Sequence, residues 1–192
     1  MQMRVKVRLE HYDRHGRLKK VVCKDSDRVL DNFGYLLRLI FYPVPKLSGY
    51  RLGDFVAEDG YTYKLSVGYS DECWDYCYNS ERRYYCEIGT GTTAPSNSDY
   101  KLESFHNRAV ADIYSLELLS DVIRITLRAS VQATANVTIN EVGLSLYSWC
   151  YEPTARTTQA RYFLLFRDVL SEGISMLSGE YLAVYYTIEF TR

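Results

Sequence analysis

Three patterns in this chain have residue types that could carry chemistry. Gly89-Thr90-Gly91-Thr92-Thr93-Ala94 has the glycine spacing of a dinucleotide-binding turn. That chemistry needs a helix to start directly after the glycines, so that its free amides meet a pyrophosphate. Pro95, Ser96, Asn97 and Ser98 follow instead, and no strand–helix–strand pattern surrounds them. The segment therefore reads as a tight loop whose hydroxyls bond nearby backbone groups. No glycine-rich turn runs into Gly-Lys-Ser/Thr, so a Walker loop is missing as well.

The second pattern is Cys73-x3-Cys77-x8-Cys86. Three thiols at that spacing fit a zinc ligand set lacking the usual Cys-x2-Cys knuckle, a local disulfide, or unpaired thiols. All three readings place these cysteines at the surface. The third pattern is the histidines: His11 and His15 flank a turn, and His106 sits in Ser104-Phe105-His106-Asn107, which matches no catalytic elbow. Carboxylates are scattered through turns and strand faces. The chain is thus expected to hold no catalytic residue, cofactor or metal, and to be no enzyme.

The elements that would position any site are mostly strands. Arg4-Val5-Lys6-Val7-Arg8-Leu9 alternates polar and apolar, Asp13-Arg14-His15-Gly16 turns, and residues 18–23 return: a β-hairpin. Helical spacing of Val29, Leu30, Phe33, Leu36, Leu37 and Ile40, behind caps at Asp25-Ser26-Asp27, predicts one α-helix over 27–41, ended by Pro43. A second hairpin turns at Glu58-Asp59-Gly60. Residues 84–88 form a short strand that feeds a long loop through Asp99. Ile123, Ile125, Leu127, Ala129, Val131 and Ala133 alternate with polar residues, and Leu182, Val184, Tyr186, Ile188 and Phe190 repeat the pattern. Strands with one apolar face and no intervening helices predict a mainly β chain, an antiparallel jelly-roll-like β-sandwich. No composition break divides the 192 residues, so they read as one domain, with residues 70–86 as a cysteine-bearing aromatic surface insertion.

Composition narrows the partners. A net charge of −1 gives no electrostatic drive toward nucleic acid or an anionic membrane. The apolar stretch over 36–44 is broken by Arg38 and Pro43, far short of the about 20 residues a membrane helix needs. Met1 is followed by charged alternation, not an apolar leader, so synthesis and folding in a cytoplasm are expected. Tyrosine is abundant, at 19 against 7 Phe and 2 Trp, and suits half-buried contacts between subunits. Trp74, Tyr76, Tyr78, Tyr84 and Tyr85 are the interface candidates. The same aromatics could stack on sugar rings, the alternative reading as a carbohydrate-binding or host-receptor module.

Several segments, in order, resemble structural proteins of tailed bacteriophages and related prokaryotic and archaeal viruses. They are Ile88 to Pro95 with Asp99 and Leu102-Glu103; then Thr138-Ile139-Asn140-Glu141-Val142-Gly143-Leu144; then Arg167-Asp168-Val169-Leu170 with Ile174 and residues 178–188. Asp31-Asn32-Phe33-Gly34 is similar more loosely. The resemblance spans most of the chain except residues 73–85 and transfers no catalytic residue. It implies a virion component, of tail, fibre, turret or capsid, that works as a homo-oligomer among other virion proteins, with a host surface glycan as a further partner. Few glutamines, many tyrosines and the cysteines point to a thermophilic host.

Overall fold

The computed structural model describes residues 2–41, 52–66, 83–152 and 157–191. Among these residues, eleven antiparallel strands and one helix follow in chain order. β1 (Gln2–Tyr12) and β2 (Leu18–Asp25) are the expected hairpin, β3 (Arg28–Val29) is a two-residue strand, and α1 spans Asp31–Phe41. β4 (Leu52–Val56) and β5 (Thr62–Ser66) form the second hairpin. β6 (Arg83–Gly89), β7 (Phe105–Leu118), β8 (Val122–Gln132), β9 (Val137–Glu152), β10 (Thr157–Met176) and β11 (Tyr181–Thr191) complete the chain.

The two layers of the expected sandwich are parts of one curled sheet, in the order β2-β1-β11-β8-β7-β6-β9-β10-β3. β7 makes the bend. Its first half pairs with β6, from Gly89↔Phe105 to Tyr84↔Ala111, and its second half pairs with β8, from Asp112↔Arg128 to Leu118↔Ile123. Register shifts at Ile88/Gly89 and Ile113/Ser115 supply the local twist that lets one strand serve both layers. The chain also stitches the two ends of the sheet together between β2 and β3. The Asp168 carboxylate accepts from the Asp27 amide (2.6 Å), the Ser26 hydroxyl (3.1 Å) and, across the core, Tyr186 Oη (2.9 Å).

These bonds explain why α1 starts later than residue 27. Ser26 and Asp27, which look like caps, are committed to Asp168, and Arg28–Val29 pair with Arg167 and Phe166. Helical bonding then begins from the Leu30 carbonyl, which accepts from Phe33 N. Leu30, Phe33 and Leu36 are buried as the helical spacing predicted, and Phe33 meets Phe166 at 4.6 Å between ring centroids. Asn32 is buried too, its amide donating to the Val56 and Leu164 carbonyls.

Period two places the core. Leu127, Ala129, Val131 and Ala133 face Leu182, Val184 and Tyr186 inside the curl, against Cys86, Ile88, Leu144 and Phe163 from the other layer. The alternation weakens toward the start of β8: Ile123 and Ile125 are only half-buried, while Thr126 is buried with its hydroxyl 3.1 Å from that of Thr187. Residues 83–86 belong to β6, Arg83 paired with β9 and residues 84–86 with both β7 and β9, so the surface insertion expected over 70–86 does not extend that far. Cys86, expected at the surface, is 0 % exposed in the core. Its side-chain parity on β6 turns it inward, with Sγ 3.9 Å from the Val184 carbonyl. Cys73 and Cys77 lie outside the described residues.

Candidate functional site

Directly opposed residues share a face, so β9 shows what stands on the outer side of its layer. Glu141, Gly143, Ser145 and Tyr147 project there in sequence. Each is met by something that covers it, and two buried charge clusters result.

The first centres on Glu141, 0 % exposed, and Arg167 on β10, 3 % exposed. Glu141 Oε1 accepts from the amides of Gly91 (3.0 Å) and Ser104 (2.7 Å), and Oε2 from the amide of Glu103 (3.1 Å) and Arg167 Nε (2.8 Å). Arg167 spends its remaining donors on Asp99 (2.7 Å), the Thr93 carbonyl (3.2 Å) and Glu103 (3.4 Å). Burial pulls the guanidinium pKa down, but the bonds to Asp99 and Glu141 outweigh it and raise it. Hydrogen bonds from the Thr93 side chain and backbone lower that of Glu103.

The glycine-rich loop is therefore an anion cradle whose anion is the protein's own carboxylate. Its glycines are required by space: a Cβ on Gly89 would stand 2.5 Å from the Ser104 carbonyl oxygen and 2.6 Å from Glu141 Oε1. One on Gly91 would stand 2.6 Å from that same carboxylate oxygen. On Gly143 it would meet Leu164 at 2.8 Å and Leu102 at 2.9 Å. The segments quoted for the viral resemblance thus converge, through Gly89 to Glu103, Glu141, Gly143 and Arg167, on one clasp.

The second cluster lies next along the same face. Glu87 on β6 is 1 % exposed; Ser145 Oγ donates to its Oε1 at 2.6 Å, and Arg108 Nη1 on β7 lies 3.3 Å away. Arg108 Nη2 donates to Glu58, in the β4–β5 turn, at 2.9 Å, and the guanidinium stacks 3.8 Å from the Tyr162 ring centroid and 4.4 Å from that of Phe105. Burial first, then the Glu58 charge, push Glu87 up to about 8, with Arg108 and Ser145 opposing. Sequence reasoning passed over this cluster. Its one legible signal was a lone carboxylate inside the apolar run Tyr84-Tyr85-Cys86-Glu87-Ile88.

Of the five interface candidates, Trp74, Tyr76 and Tyr78 lie outside the described residues. Tyr84 is half-buried and packs on the core. Tyr85 is half-buried in a tyrosine trio, 5.1 Å from Tyr162 and 6.0 Å from Tyr147 between centroids. Among the described residues, no three His, Cys, Asp or Glu side chains are grouped to hold a metal ion, and no helix is long and apolar enough to cross a membrane.

The exposed apolar residues gather elsewhere. Ile113, Tyr114, Leu116, Leu118 and Leu119, at the end of β7, are each more than half exposed. Leu118 ends a row of directly paired residues, Met3↔Phe190↔Ile123↔Leu118, that runs from the core margin into the open. Glu117, the only charge within this strip, is neutralised by Arg124 at 2.6 Å. On the outer face nearby, Tyr114 meets Tyr185 at 5.6 Å, and Arg128 stands over both rings.

The architecture and its two buried clasps define an antiparallel, curled-sheet β-protein with a rigidly fastened loop face. No family model, curated protein or solved structure matches the chain.

Proposed function

We propose that this chain is a non-enzymatic structural subunit that works by being built into a multi-copy assembly, as a virion component of the kind its motifs resemble. The observation that carries this reading is the apolar strip at the end of β7. Burying one such side chain is worth about 1.5–3 kcal/mol, so Ile113, Leu116, Leu118 and Leu119 left together in water are a strong drive toward association. The occupant we assign is a second copy of the chain. The strip is charge-neutral and continuous with the core. Over residues 112–118 β7 pairs with β8, and among the described residues no strand pairs with its other edge. An antiparallel strand from another copy would extend the sheet there and cover the leucines.

Sedimentation velocity of the purified chain is the test. The wild type is expected to be oligomeric, and Leu116→Ser with Leu118→Ser to yield monomers that remain folded, melting below the wild type by no more than the lost association accounts for. A wild-type monomer, or a double variant that assembles normally, overturns the assignment. Detecting the chain by mass spectrometry in purified virus particles tests the virion half of the reading.

The carbohydrate alternative keeps one observation in its favour: the exposed Tyr114 ring beside Tyr185, Arg8 and Arg128 offers stacking and guanidinium donors on one face. Glycan-array binding that Tyr114→Ser abolishes, in a chain that still assembles, would decide for it.

A further inference from the structure

The Glu58–Glu87–Arg108 cluster contains three buried polar atoms without a hydrogen-bond partner: Glu58 Oε1, Glu87 Oε2 and Arg108 Nη1. Two of them are carboxylate oxygens, and both carboxyl groups sit on one guanidinium, Glu58 2.9 Å from Arg108 Nη2 and Glu87 3.3 Å from Nη1. Two ionised carboxylates cannot bond each other, since both only accept. A single proton resolves the conflict: a protonated Glu87 donates to Glu58, and both oxygens gain a partner. Charge gives the same count. Two carboxylates, one proton and one guanidinium sum to zero where Arg108 stacks on Tyr162 and Phe105, whereas two free carboxylates leave a net negative charge on a Glu87 that is 1 % exposed.

We propose that Glu58 and Glu87 hold one proton between them, so that the triad is a proton-binding site fastening the β4–β5 turn to the outer face of β6, β7 and β9. When that proton dissociates to solvent, Glu58 and Glu87 repel, and the turn's hold through Arg108 weakens. The Glu58 amide on the Tyr162 carbonyl at 3.2 Å and Asp59 on Arg161 Nε at 2.9 Å remain. The groups that face Glu87 are Glu58 from the turn, Arg108 from β7, Ser145 from β9 and Tyr162 from β10, with Tyr85 beside it on β6; Cys86 points to the opposite face. This site is separate from the assembly strip, and its test does not depend on oligomeric state.

The sign follows from linkage. Glu87 is raised in the folded chain from the ordinary 4.5 to about 8. Its contribution to stability is therefore whole below 4.5 and lost as pH rises through about 8. Glu87→Gln copies the protonated form, with an amide to donate to Glu58 and a carbonyl to accept from Ser145. Carboxyl carbon NMR of the wild type should show one glutamate titrating near 8, absent in Glu87→Gln and moved to lower pH in Glu58→Gln. Protection of the Ala57 and Gly60 amides, measured against the intrinsic exchange rate at each pH, should fall above that midpoint in the wild type but not in Glu87→Gln. The proposal is overturned if no glutamate titrates above the ordinary carboxylate range, or if Glu87→Gln keeps the wild-type pH dependence of exchange. Should Glu87→Gln fail to fold, the wild-type and Glu58→Gln titrations still decide.

Discussion

The outer face of β6, β9 and β10 buries charge, and the far end of β7 leaves leucine in water. On the first, Glu141, Arg167, Glu87 and Arg108 are covered by the 90–104 loop and the β4–β5 turn; both oxygens of Glu141 are paired, and the three unpartnered polar atoms lie in the Glu87 cluster. On the second, Ile113, Tyr114, Leu116, Leu118 and Leu119 have no comparable cover. Buried ion networks specify one geometry at little or no net gain in stability; exposed apolar strips gain stability only when something covers them. In the assembly we propose, the two regions divide the labour: one face fixes the shape of the subunit, and the other provides its affinity for a neighbour.

Five substitutions bear on that contrast. The largest effect is expected from Arg167→Leu, which leaves the Glu141 carboxylate buried without its cation. About 3–5 kcal/mol should be lost, read by urea denaturation. A loss under about 1 kcal/mol would mean that the three backbone amides alone hold Glu141, and that the face is less dependent on ion pairing than its geometry suggests. Next is Gly89→Ala, whose methyl group meets a backbone oxygen that cannot swing aside. Roughly 1–3 kcal/mol is expected by the same measurement, with Gly143→Ala costing less because the ends of leucine side chains can yield.

A smaller effect, confined to acid, is expected at the β10–β11 turn. Hydrogen bonds from Lys19 Nζ and the Leu177 amide hold Glu180 down at about 2, with His11 also bonded to it. Because the folded value is depressed, the stabilisation is present above the ordinary 4.5 and disappears as pH falls toward 2. Glu180→Gln should therefore flatten the loss of melting temperature across that window, followed by circular dichroism; an unchanged acid profile would remove Glu180 from the account. The smallest effect on folding belongs to the other region. Leu118→Ser should change monomer stability by no more than about 0.5 kcal/mol while weakening association. A large loss of folding stability instead would make the strip part of the core and erase the contrast.

Much of the scaffold was legible in the residues. The 182–190 alternation and the one in 127–133 report which side chains face inward, because a strand's side chains change sides at every residue. The Asp13-Arg14-His15-Gly16 turn and the helical stripe through Leu30, Phe33 and Leu36 are equally local, and the structure keeps them. Glu141 was legible only as part of a segment that carries a resemblance, and its partner Arg167 did not follow from it. β7 was not legible: Phe105–Leu118 mixes apolar and polar residues without a clean period, because its two halves serve different layers and its far end stands in the open.

By itself, then, the sequence determined the strands, the turns and the inward faces, all of which follow from neighbours a few residues apart. Tertiary structure alone decided that the glycine loop cradles Glu141, that Cys86 is inside, and that Glu58, Glu87, Arg108 and Ser145 share one site. Those residues come from four elements, and period two says which face a side chain takes but not what the chain later lays over it. Burial and charge pairing depend on that cover, so they appear only once the sheet has curled and its loops have closed on it.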